Sequence, residues 1–360
     1  MPLQDDRAAP GVISRGGSRR PLRGVGDRAT IRAVDVVSYR PTPEQYVWTF
    51  GGAAPSHRIR PGTVLRLWTE DAFSGRIRRP SDGPASLDMT QVNPQTGPFF
   101  VEGAEPGDTL AIHIVDLVPA RDWAASTTIP FFGALTHPSL LHDPLPERTW
   151  IYQLDRAAGT IRYEAANLTL DLPLEPMLGT VGVAPPGREV RSSLVPDVFG
   201  GNMDTPEMKP GTTCYLGVNV PGALFSVGDG HYRQGEGESC GTAVEGAMDV
   251  TLIVELVKGG APPWPQLEHD DHYAVVGSAR PLEDAWRASQ VGMIAWLGEL
   301  YGLDRLDAYQ LLTQTAKSPL ANVCDTNYSA LTKISKRLLP AADAHGGMHR
   351  HLRSLAEGLH

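Results

Sequence analysis

The sequence predicts a mainly β protein, α+β overall, with an antiparallel β-sandwich or barrel-like body and a helical C-terminal part. Three observations support this fold class. Short apolar runs alternate with turn-forming residues from Thr30 to Lys258. The 38 glycines and 31 prolines among 360 residues provide the many turns that such a fold needs. Beyond the proline-rich segment at 261–265, apolar residues recur at helical spacing instead.

The predicted strands come first along the chain. Their apolar runs are short and are bounded by Gly, Pro, Asn and Asp, as is typical of strands in a turn-rich fold. No helix long enough for a parallel crossover separates one run from the next, so we expect antiparallel neighbours. The clearest runs lie at 64–68, 109–115, 212–220, 223–227 and 248–257.

Helices are predicted after the proline-rich segment. Pro281 suits the first turn of a helix whose apolar face ends before Gly302. Asp304 can cap a second helix that runs to Thr315. The residues at 329–339 suggest a third helix. We expect these helices to cover one flank of the β body.

The chain divides into four predicted segments. The first residues are rich in Arg, Gly and Pro and contain no apolar stretch that could serve as a secretory core, so we expect a solvated arm there. The proline-rich segment marks the joint between the β-rich and helical parts. The segments are a disordered arm at 1–30, a β-rich body at 31–260 that would carry any catalytic site, a helical part packed on the body at 261–340, and a tail at 341–360.

Composition and charge exclude several classes of function. The 41 acidic residues outnumber the 32 Lys and Arg residues, which gives a net charge of -9 and argues against a nucleic-acid partner. No apolar run reaches the roughly 20 residues needed to span a bilayer. Three widely spaced cysteines form neither a disulfide framework nor a CxxC pair, so we expect a reducing, cytoplasmic location. They are Cys214, Cys240 and Cys324.

The stretch at 228–241 concentrates residues that can bind a metal. It follows one apolar run and precedes another, so its polar side chains should gather at a rim of the sheet. In extended geometry Asp229 and His231 point to one side, and Glu236 and Glu238 share a side of their own stretch. One imidazole with carboxylates suits zinc or another divalent ion that keeps an open position for water. The alternative is a glycine-rich loop whose acidic residues are merely solvated.

Two weaker groups of polar residues lie upstream. Asn202 and Asp204 are two residues apart and could be ligands, but both residue types commonly form turns by bonding their own backbone. Taken alone, that segment is better interpreted as a turn. Glu70 and Asp71 follow an apolar run, and for them ligand and rim charge remain equally open.

Four segments, in this order, resemble those of the acetamidase/formamidase family. The resemblance covers 34–257, continues more weakly through the helices and is absent from the first 30 residues and from the end. It implies a β-rich body with a helical C-terminal part, metal-supported hydrolysis of small amides to a carboxylate and ammonia, and self-association into a homo-oligomer. The segments are TGPFFVEGAEPGDTLAIHIVDL at 96–117, PMLGTVGVAP at 176–185, GGNMDTPEM at 200–208 and GDGHYRQGEGESCGTAVE at 228–245.

The resemblance also implies roles for individual residues. Its acidic-histidine loop and its GGN-x-D turn match the two polar groups described above, and Glu245 completes the matched stretch. We expect zinc as the metal, with calcium as the alternative. The predicted metal ligands are Asp204, His231, Asp229 and Glu236. The predicted general acid/base is Glu238 or Glu245, and the residue predicted to orient the substrate amide is Asn202.

This sequence departs from the family pattern at two positions. Glu236 stands where the family commonly has Asp, and Asn93 precedes Pro94 where a His is usual. If that His helps to bind metal or substrate in relatives, Asn93 would alter metal affinity or specificity. The segment at 120–170 matches the family least, so we expect it to shape access of the substrate. Phe132 is one of several aromatic residues that could line a pocket or pack in the core.

Three alternatives to metal-dependent amide hydrolysis remain open. Cys240 could attack as a thiolate, although the carboxylates beside it would raise the thiol pKa rather than lower it. A cupin-like metal oxygenase or isomerase would combine a β-barrel with His and Glu ligands, but the predicted β-rich body at 31–260 contains no HxH pair. A small-molecule binding module without turnover is the non-enzymatic alternative.

Overall fold

A nine-stranded and a five-stranded β-sheet face each other across the main core, and α-helices cover the outer face of the nine-stranded sheet. The computed structural model describes residues 35–135 and 145–359, and the elements given below lie within these ranges. The predicted arm at 1–30 lies outside the described residues, as do His137 and His142.

The described residues form 20 strands, of which 18 lie before residue 280 and two near the end of the chain. In chain order they are β1 Val36–Tyr39, β2 Thr49–Phe50, β3 His57–Ile59, β4 Thr63–Thr69, β5 Gln95–Val101, β6 Thr109–Pro119, β7 Trp123–Thr128, β8 Arg148–Asp155, β9 Thr160–Ala165, β10 Leu168–Pro173, β11 Met177–Gly182, β12 Arg191–Ser192, β13 Gly200–Asn202, β14 Thr213–Gly217, β15 Phe225–His231, β16 Met248–Val257, β17 Gln266–Glu268, β18 His272–Ala279, β19 Leu320–Asn322 and β20 Tyr328–Ser335.

Three α-helices complete the described part of the chain: α1 Leu282–Tyr301, α2 Arg305–Thr315 and α3 Met348–Glu357. None of them combines the length and the apolar character that crossing a bilayer would require. Short 3-10 turns connect several strands, at Pro43–Gln45, Pro84–Ser86, Met89–Gln91, Pro186–Arg188, Lys336–Leu338 and Ala344–Gly346.

The strands form open sheets rather than a closed barrel in the part of the chain that the structure describes. Antiparallel pairing dominates, as predicted, and the parallel pairs between named strands are β1 with β4 and β3 with β5. The strand orders are β1-β4-β16-β6-β14-β17-β18-β20-β19 in the nine-stranded sheet, β13-β11-β15-β5-β3 in the five-stranded sheet, β10-β9-β8-β7 in the four-stranded sheet and β12-β2 in the smallest.

Strand β6 shows why the larger sheet is buried on both faces. Leu110 and Ile112 point into the core between the sheets, where they join Phe225 of the five-stranded sheet. Ala111, on the opposite face, joins a second core that contains Trp296 of α1. Because both faces are covered, the apolar run of this strand is nearly continuous instead of alternating with polar residues.

The first two predicted helices are confirmed, together with the residues that begin and end them. Pro281 precedes the first residue of α1, and Gly302 ends this helix in the left-handed conformation with φ of 65°. The Asp304 side chain accepts hydrogen bonds from the backbone amides of Leu306 and Asp307, which caps α2. The helices cover one flank of the β body, as expected.

The predicted third helix at 329–339 is wrong, because this segment forms strand β20. It pairs along its whole length with β18, from the pair of Ala279 with Tyr328 to the pair of His272 with Ser335. A complete set of backbone partners in the sheet thus overrides the local helical pattern. The last helix lies instead in the predicted tail, where Leu352 of α3 is buried against the sheet.

One buried carboxylate joins the turn at 200–208 to the C-terminal strands. Lys333 of β20 donates a hydrogen bond to Glu207, and His272 Nε2 of β18 lies 3.1 Å from Glu207 Oε2. Burial alone would raise the pKa of Glu207, but the hydrogen bonds from His272 and Lys333 outweigh burial and lower the pKa to about 2. The ionised form of Glu207 therefore stabilises the folded state.

Helix α1 packs directly against the backbone of β18 at Gly277. A Cβ atom at this position would lie 2.2 Å from the Ala285 carbonyl oxygen and 2.5 Å from the Ser289 nitrogen. We therefore predict that Gly277→Ala lowers the free energy of unfolding by about 1–3 kcal/mol, because the helix must move outward. Urea unfolding should show this loss, while Gly358→Ala, whose Cβ would have ordinary contacts, should change little. Equal stabilities for the two variants would contradict this account of the packing.

The pKa of Glu207 predicts a pH-dependent contribution to stability. Its folded-state pKa, about 2, lies below the unfolded value, so its stabilisation is complete above the unfolded pKa and is lost as the pH falls toward 2. Glu207→Gln should therefore be less stable than the wild type by roughly 2 kcal/mol at neutral pH. This difference should narrow between about pH 4.5 and pH 2.

Thermal unfolding at several pH values would measure this difference. The exposed Glu357→Gln is the matched control, and its difference from the wild type should stay small throughout. A deficit for Glu207→Gln that is unchanged at pH 3 would argue against an ionic role for this residue.

Candidate functional site

The candidate site lies at the end of strand β15, next to β11 and β13. Thr180 of β11 pairs with Asn202, the last residue of β13. His231, the last residue of β15, forms an isolated bridge with Glu245, and Glu245 forms another with Ala125 of β7. The sheet thereby brings the two polar groups predicted from the sequence to one edge.

His231 lies at the centre of two overlapping groups of buried residues. One group joins it to Asp204 and Glu238, the other to Asp229 and Glu245, and in each group the ligand-capable atoms lie within 4.8 Å of one another. His231 Nε2 is 3.3 Å from Asp229 Oδ1 and 3.1 Å from Glu245 Oε2. All five side chains are buried, with at most 8% exposure.

Gln234 determines which imidazole nitrogen of His231 carries a hydrogen. The Gln234 side-chain nitrogen donates to the carbonyl oxygens of Asp204 and Ala321, at 2.5 and 3.0 Å. Its oxygen is therefore the atom that faces His231 Nδ1, at 2.9 Å, and Nδ1 must donate. This arrangement leaves Nε2 directed at the carboxylates and available to a metal ion.

Three atoms in this cluster have no hydrogen-bond partner among the described residues. They are Asp204 Oδ1, His231 Nε2 and Glu245 Oε2, and all are inaccessible to solvent. Buried polar atoms are normally paired, and an unpaired carboxylate oxygen is costly. An imidazole nitrogen and carboxylate oxygens are also the donors that zinc prefers. The residues present therefore fit a divalent cation.

The acidic residues of the cluster titrate abnormally. Burial is the largest cause that raises the pKa of Asp204, Glu238 and Glu245, and neighbouring negative charges add to it. Burial also raises the pKa of Asp325 to about 7. These carboxyl groups thus hold protons more tightly than usual when no cation neutralises them.

His231 and Asp229 behave as an ion pair. Burial would lower the pKa of His231, but the charges of Glu245 and Asp229 outweigh it and hold this pKa well above its usual range. Burial would raise the pKa of Asp229, but the positive charge of His231 lowers it overall. A metal ion would have to displace the His231 proton, so binding would release a proton.

Several site residues adopt a backbone conformation that side chains normally avoid. Their φ values are 46° for Asp204, 62° for Asp229, 41° for Glu238 and 56° for Asn93. Left-handed conformations of such residues persist only where surrounding contacts hold them, and they often occur at functional sites.

Gly179 of β11 creates the space that two of the carboxylates occupy. A Cβ atom at this position would lie 2.4 Å from Asp229 Oδ2 and 2.5 Å from Asp204 Oδ1. Both side chains therefore lie against the bare α-carbon of this residue. Only glycine lets the two carboxylates approach each other above the strand.

Two residues of the site, Asn322 and Asp325, were not predicted from the sequence. The Asn202 amide donates to Asp325 Oδ2 at 2.7 Å. The Asn322 amide donates to Asp204 Oδ2 at 3.1 Å and to Asp325 Oδ2 at 3.2 Å. Asn322 ends strand β19, and Asp325 follows it. The only sequence signal for these two residues was a short run of Asn and Asp between two apolar segments.

Asn93, at the position where the resemblance implies a His, belongs to a buried chain of amide groups. It accepts a hydrogen bond from Gln95 Nε2 at 2.6 Å. Its own nitrogen donates to Asn202 Oδ1 at 2.9 Å and to Thr180 Oγ1 at 3.0 Å. Asn93 therefore determines the orientation of the Asn202 amide, so that the Asn202 nitrogen faces Asp325.

Glu236 lies outside the cluster, which corrects its prediction as a metal ligand. Its side chain is exposed, and its charged neighbours are Glu207 and Lys333. The prediction assumed extended backbone from Glu236 to Glu238, but both Gly237 and Glu238 have positive φ and turn the chain. Only Glu238 is thereby directed into the protein.

Glu70 and Asp71, for which the sequence left a ligand role and a rim charge equally open, form ion pairs with Arg121. Arg121 Nη2 donates to Glu70 Oε2 at 2.7 Å, and its Nη1 donates to Asp71 Oδ2 at 2.6 Å. Their partner is therefore an arginine instead of a metal ion.

The three cysteines have different environments. Cys324 is buried, and its thiol donates to Glu238 Oε2 at 3.6 Å. Burial and the charge of Glu238 raise the pKa of Cys324, so the group stays a neutral thiol. Cys240 is exposed, and its Sγ lies 3.2 Å from the Thr242 carbonyl oxygen. Cys214 is part of the main core.

A cavity of about 90 Å³ opens next to the cluster. Its floor is polar and includes Asn93, Asn202, Asp229, Glu238, Glu245 and Asp325. Its wall is apolar and includes Ala72, Phe73, Leu87, Met89, Val92, Ile129, Phe132 and Leu194. Two of these wall residues, Ile129 and Phe132, come from the segment that we predict to shape access of the substrate.

Comparisons with known proteins agree with the resemblance. A family model described as the acetamidase/formamidase family matches residues 52–195 and 187–281. The structure of an acetamidase from Yersinia enterocolitica is 38% identical with a TM-score of 0.80, and the match covers 86% of this chain and 94% of that one. For an acetamidase structure from Bacillus halodurans the identity is 31%, the TM-score 0.77 and the coverage 84% and 98%.

A curated relative is more distant. The formamidase of Methylophilus methylotrophus is 28% identical over 253 residues, which are 56% of this chain. The match spans only 61% of the length of that relative. The family model ends at residue 281, so it includes His231 and Glu245 but neither Asn322 nor Asp325.

Gly179 provides a test of the candidate metal centre. We predict that Gly179→Ala weakens zinc binding by about 10- to 100-fold, because the new methyl group displaces the carboxylates of Asp204 and Asp229. Isothermal titration calorimetry with zinc would measure the change, and circular dichroism would verify the fold. Gly235→Ala is the matched control, because a Cβ there would meet nothing within 4 Å. Unchanged zinc affinity in a folded Gly179→Ala protein would remove these two carboxylates from the ligand set.

Proposed function

Because the chain belongs to the acetamidase/formamidase family, we propose that it hydrolyses short aliphatic amides to the carboxylate and ammonia. The observation that carries this proposal is the small cavity whose floor gathers carboxylates and amides beside His231. A primary amide presents one carbonyl oxygen and two N–H groups, and this floor offers both donors and acceptors to them.

We propose that a divalent metal ion completes the site. Asp229, His231 and Glu245 would hold it, because their ligand-capable atoms lie within 4.8 Å of one another. Asp204 Oδ1, a further buried atom without a partner, lies on the other side of His231 in the second group. The imidazole donor favours zinc over calcium, which prefers oxygen ligands throughout. When bound, such an ion polarises a carbonyl group and lowers the pKa of a bound water toward about 7.

Glu238 is the proposed general acid/base. It lines the cavity, and its Oε2 accepts a hydrogen bond from the Cys324 thiol. Burial raises the pKa of Glu238 above that of an ordinary glutamate, which suits a group that must accept and return a proton near neutral pH. Glu245, the other residue that the sequence suggested for this role, is assigned to the metal ligands instead.

The proton transfers balance in two stages. A water molecule attacks the carbonyl carbon and passes a proton to the Glu238 carboxylate. Glu238 then returns this proton to the amide nitrogen as the C–N bond breaks, so that nitrogen leaves as ammonia. The acyl group now carries the oxygen and the second hydrogen of the water as a carboxylic acid, which loses this proton to ammonia and so yields the carboxylate and ammonium.

Asn202 is the proposed positioning group for the substrate. Its oxygen accepts from Asn93 and Thr180, so its nitrogen is the atom that donates. One N–H of this nitrogen is used by Asp325, and the other can donate to the substrate carbonyl oxygen. The same hydrogen bond would stabilise negative charge on that oxygen as the water attacks.

Self-association and a cytoplasmic location complete the proposal. The family resemblance implies self-association, and the cysteine content predicts the cytoplasmic location. Neither property is needed for the chemistry at the cavity. Size-exclusion chromatography with light scattering would determine the assembly.

Ammonia release from acetamide would test the function. We predict that chelation abolishes the activity and that added zinc restores it, since the buried carboxylates need a cation. His231→Ala should lose both zinc and turnover. Glu238→Gln should keep zinc and lose about 10²- to 10⁴-fold in kcat, because the proton carrier is removed. Cys240→Ser is the control and should keep the wild-type rate.

The outcomes separate the proposed function from its alternatives. Full turnover by a zinc-binding His231→Ala protein would refute the assignment of the centre. Complete loss in a folded Cys240→Ser protein would support a thiolate nucleophile instead. Oxygen consumption would indicate an oxygenase, and amide binding without any product would indicate a binding module.

A further inference from the structure

The two sides of the cavity differ in chemistry. Among the described lining residues the charged groups all belong to the floor, whereas the wall consists of aliphatic and aromatic side chains. Formamide carries only a hydrogen on its carbonyl carbon, so it would leave this wall without a contact. Burial of apolar surface is favourable by about 25 cal/mol per Å². The wall therefore favours a substrate with a longer acyl chain.

Two aromatic rings of the wall pack against neighbouring residues of the protein. Phe73 is buried in a small core with Ile77 and Ala125. The ring of Phe132 lies over the α-carbon of Gly241, where a Cβ atom would be 2.5 Å from Phe132 Cδ1. Packed aromatic rings of this kind present a preformed surface to a ligand.

The size of the cavity limits the acyl chain. A cavity of about 150 Å³ accommodates benzene, and the present one measures about 90 Å³. It therefore lacks room for a phenyl group beside the amide. Met89 lines the cavity yet is half exposed, so it stands at the rim, where the end of an aliphatic chain would emerge.

From this asymmetry we propose that the site prefers aliphatic amides with acyl chains of about three or four carbons, such as propionamide and butyramide, over formamide and acetamide. Phe132 and Leu194 are the proposed specificity-determining residues. This inference rests on the proposed amidase function and identifies the substrate class of the same site. Benzamide is excluded by the volume of the cavity.

A series of amides tests this preference with the full, zinc-loaded chain. The ratio kcat/KM for ammonia release should rise roughly three- to fivefold for each added carbon from formamide to butyramide. It should then fall at least tenfold for benzamide. A value for formamide equal to or above that for butyramide would overturn the proposal.

Two variants alter the wall in opposite directions. Phe132→Ala should enlarge the cavity and raise the benzamide-to-butyramide ratio of kcat/KM about tenfold. Leu194→Trp, at a half-buried position that tolerates a larger side chain, should lower butyramide turnover about tenfold and formamide turnover much less. Phe131→Ala is the matched control, because Phe131 is 67% exposed and does not line the cavity. Wild-type ratios in both wall variants would also overturn the proposal.

Thermal shift with the same amides separates this inference from the proposed function. If no amide releases ammonia, the proposed amidase function is wrong. The preference for longer acyl chains can then still be tested by how strongly each amide binds and raises the Tm. A Tm that rises steadily from formamide to butyramide would then support the apolar wall as the recognition surface. Equal Tm values across the series would contradict it.

Discussion

Five carboxyl groups are buried together with a single imidazole, and this crowding is the constraint on which the rest of the site depends. Negative charges so close together repel strongly in a low dielectric. Burial is the largest cause of the raised pKa values of four of these groups, and the repulsion adds to it, so protonation relieves both costs. The proposed divalent cation would relieve it without protons. Metal binding, protonation and local stability are thus linked at this site. The carboxyl groups belong to Asp204, Asp229, Glu238, Glu245 and Asp325, and the imidazole to His231.

The fold opposes this repulsion by fixing the backbone around the cluster. Gly179 offers the space in which Asp204 and Asp229 approach each other, and the sheet on both sides holds that strand in place. Glu207, only three residues after Asp204, is bound by Lys333 and His272 of the C-terminal strands. The C-terminal strands thus stabilise the turn that carries the site, and the strained φ values can persist.

Local sequence patterns correctly predicted the structural features that depend on residues close together in the chain. Alternating apolar runs predicted the β body, and Pro281 and Gly302 marked the ends of α1 correctly. The strand at 328–335 was missed because its conformation depends on pairing with β18, whose paired residues lie 49 to 63 positions earlier in the chain. Asp325 was missed for the same reason, since its contact with Asn202 spans 123 residues. The prediction of Glu236 as a metal ligand was wrong because the backbone turns at Gly237 and Glu238 instead of being extended.

The division of the cavity into floor and wall separates chemistry from recognition. The floor is built largely by β13, β15 and the segments that follow β15 and β19, whereas the wall comes from loops after β4, β7 and β12. A change in a wall residue such as Leu194 alters the space for the acyl chain and leaves the hydrogen bonds of Asn202 intact. Loops tolerate such changes far better than paired strands. The acyl preference of this fold can therefore vary while the buried carboxylates, which constrain one another, stay the same.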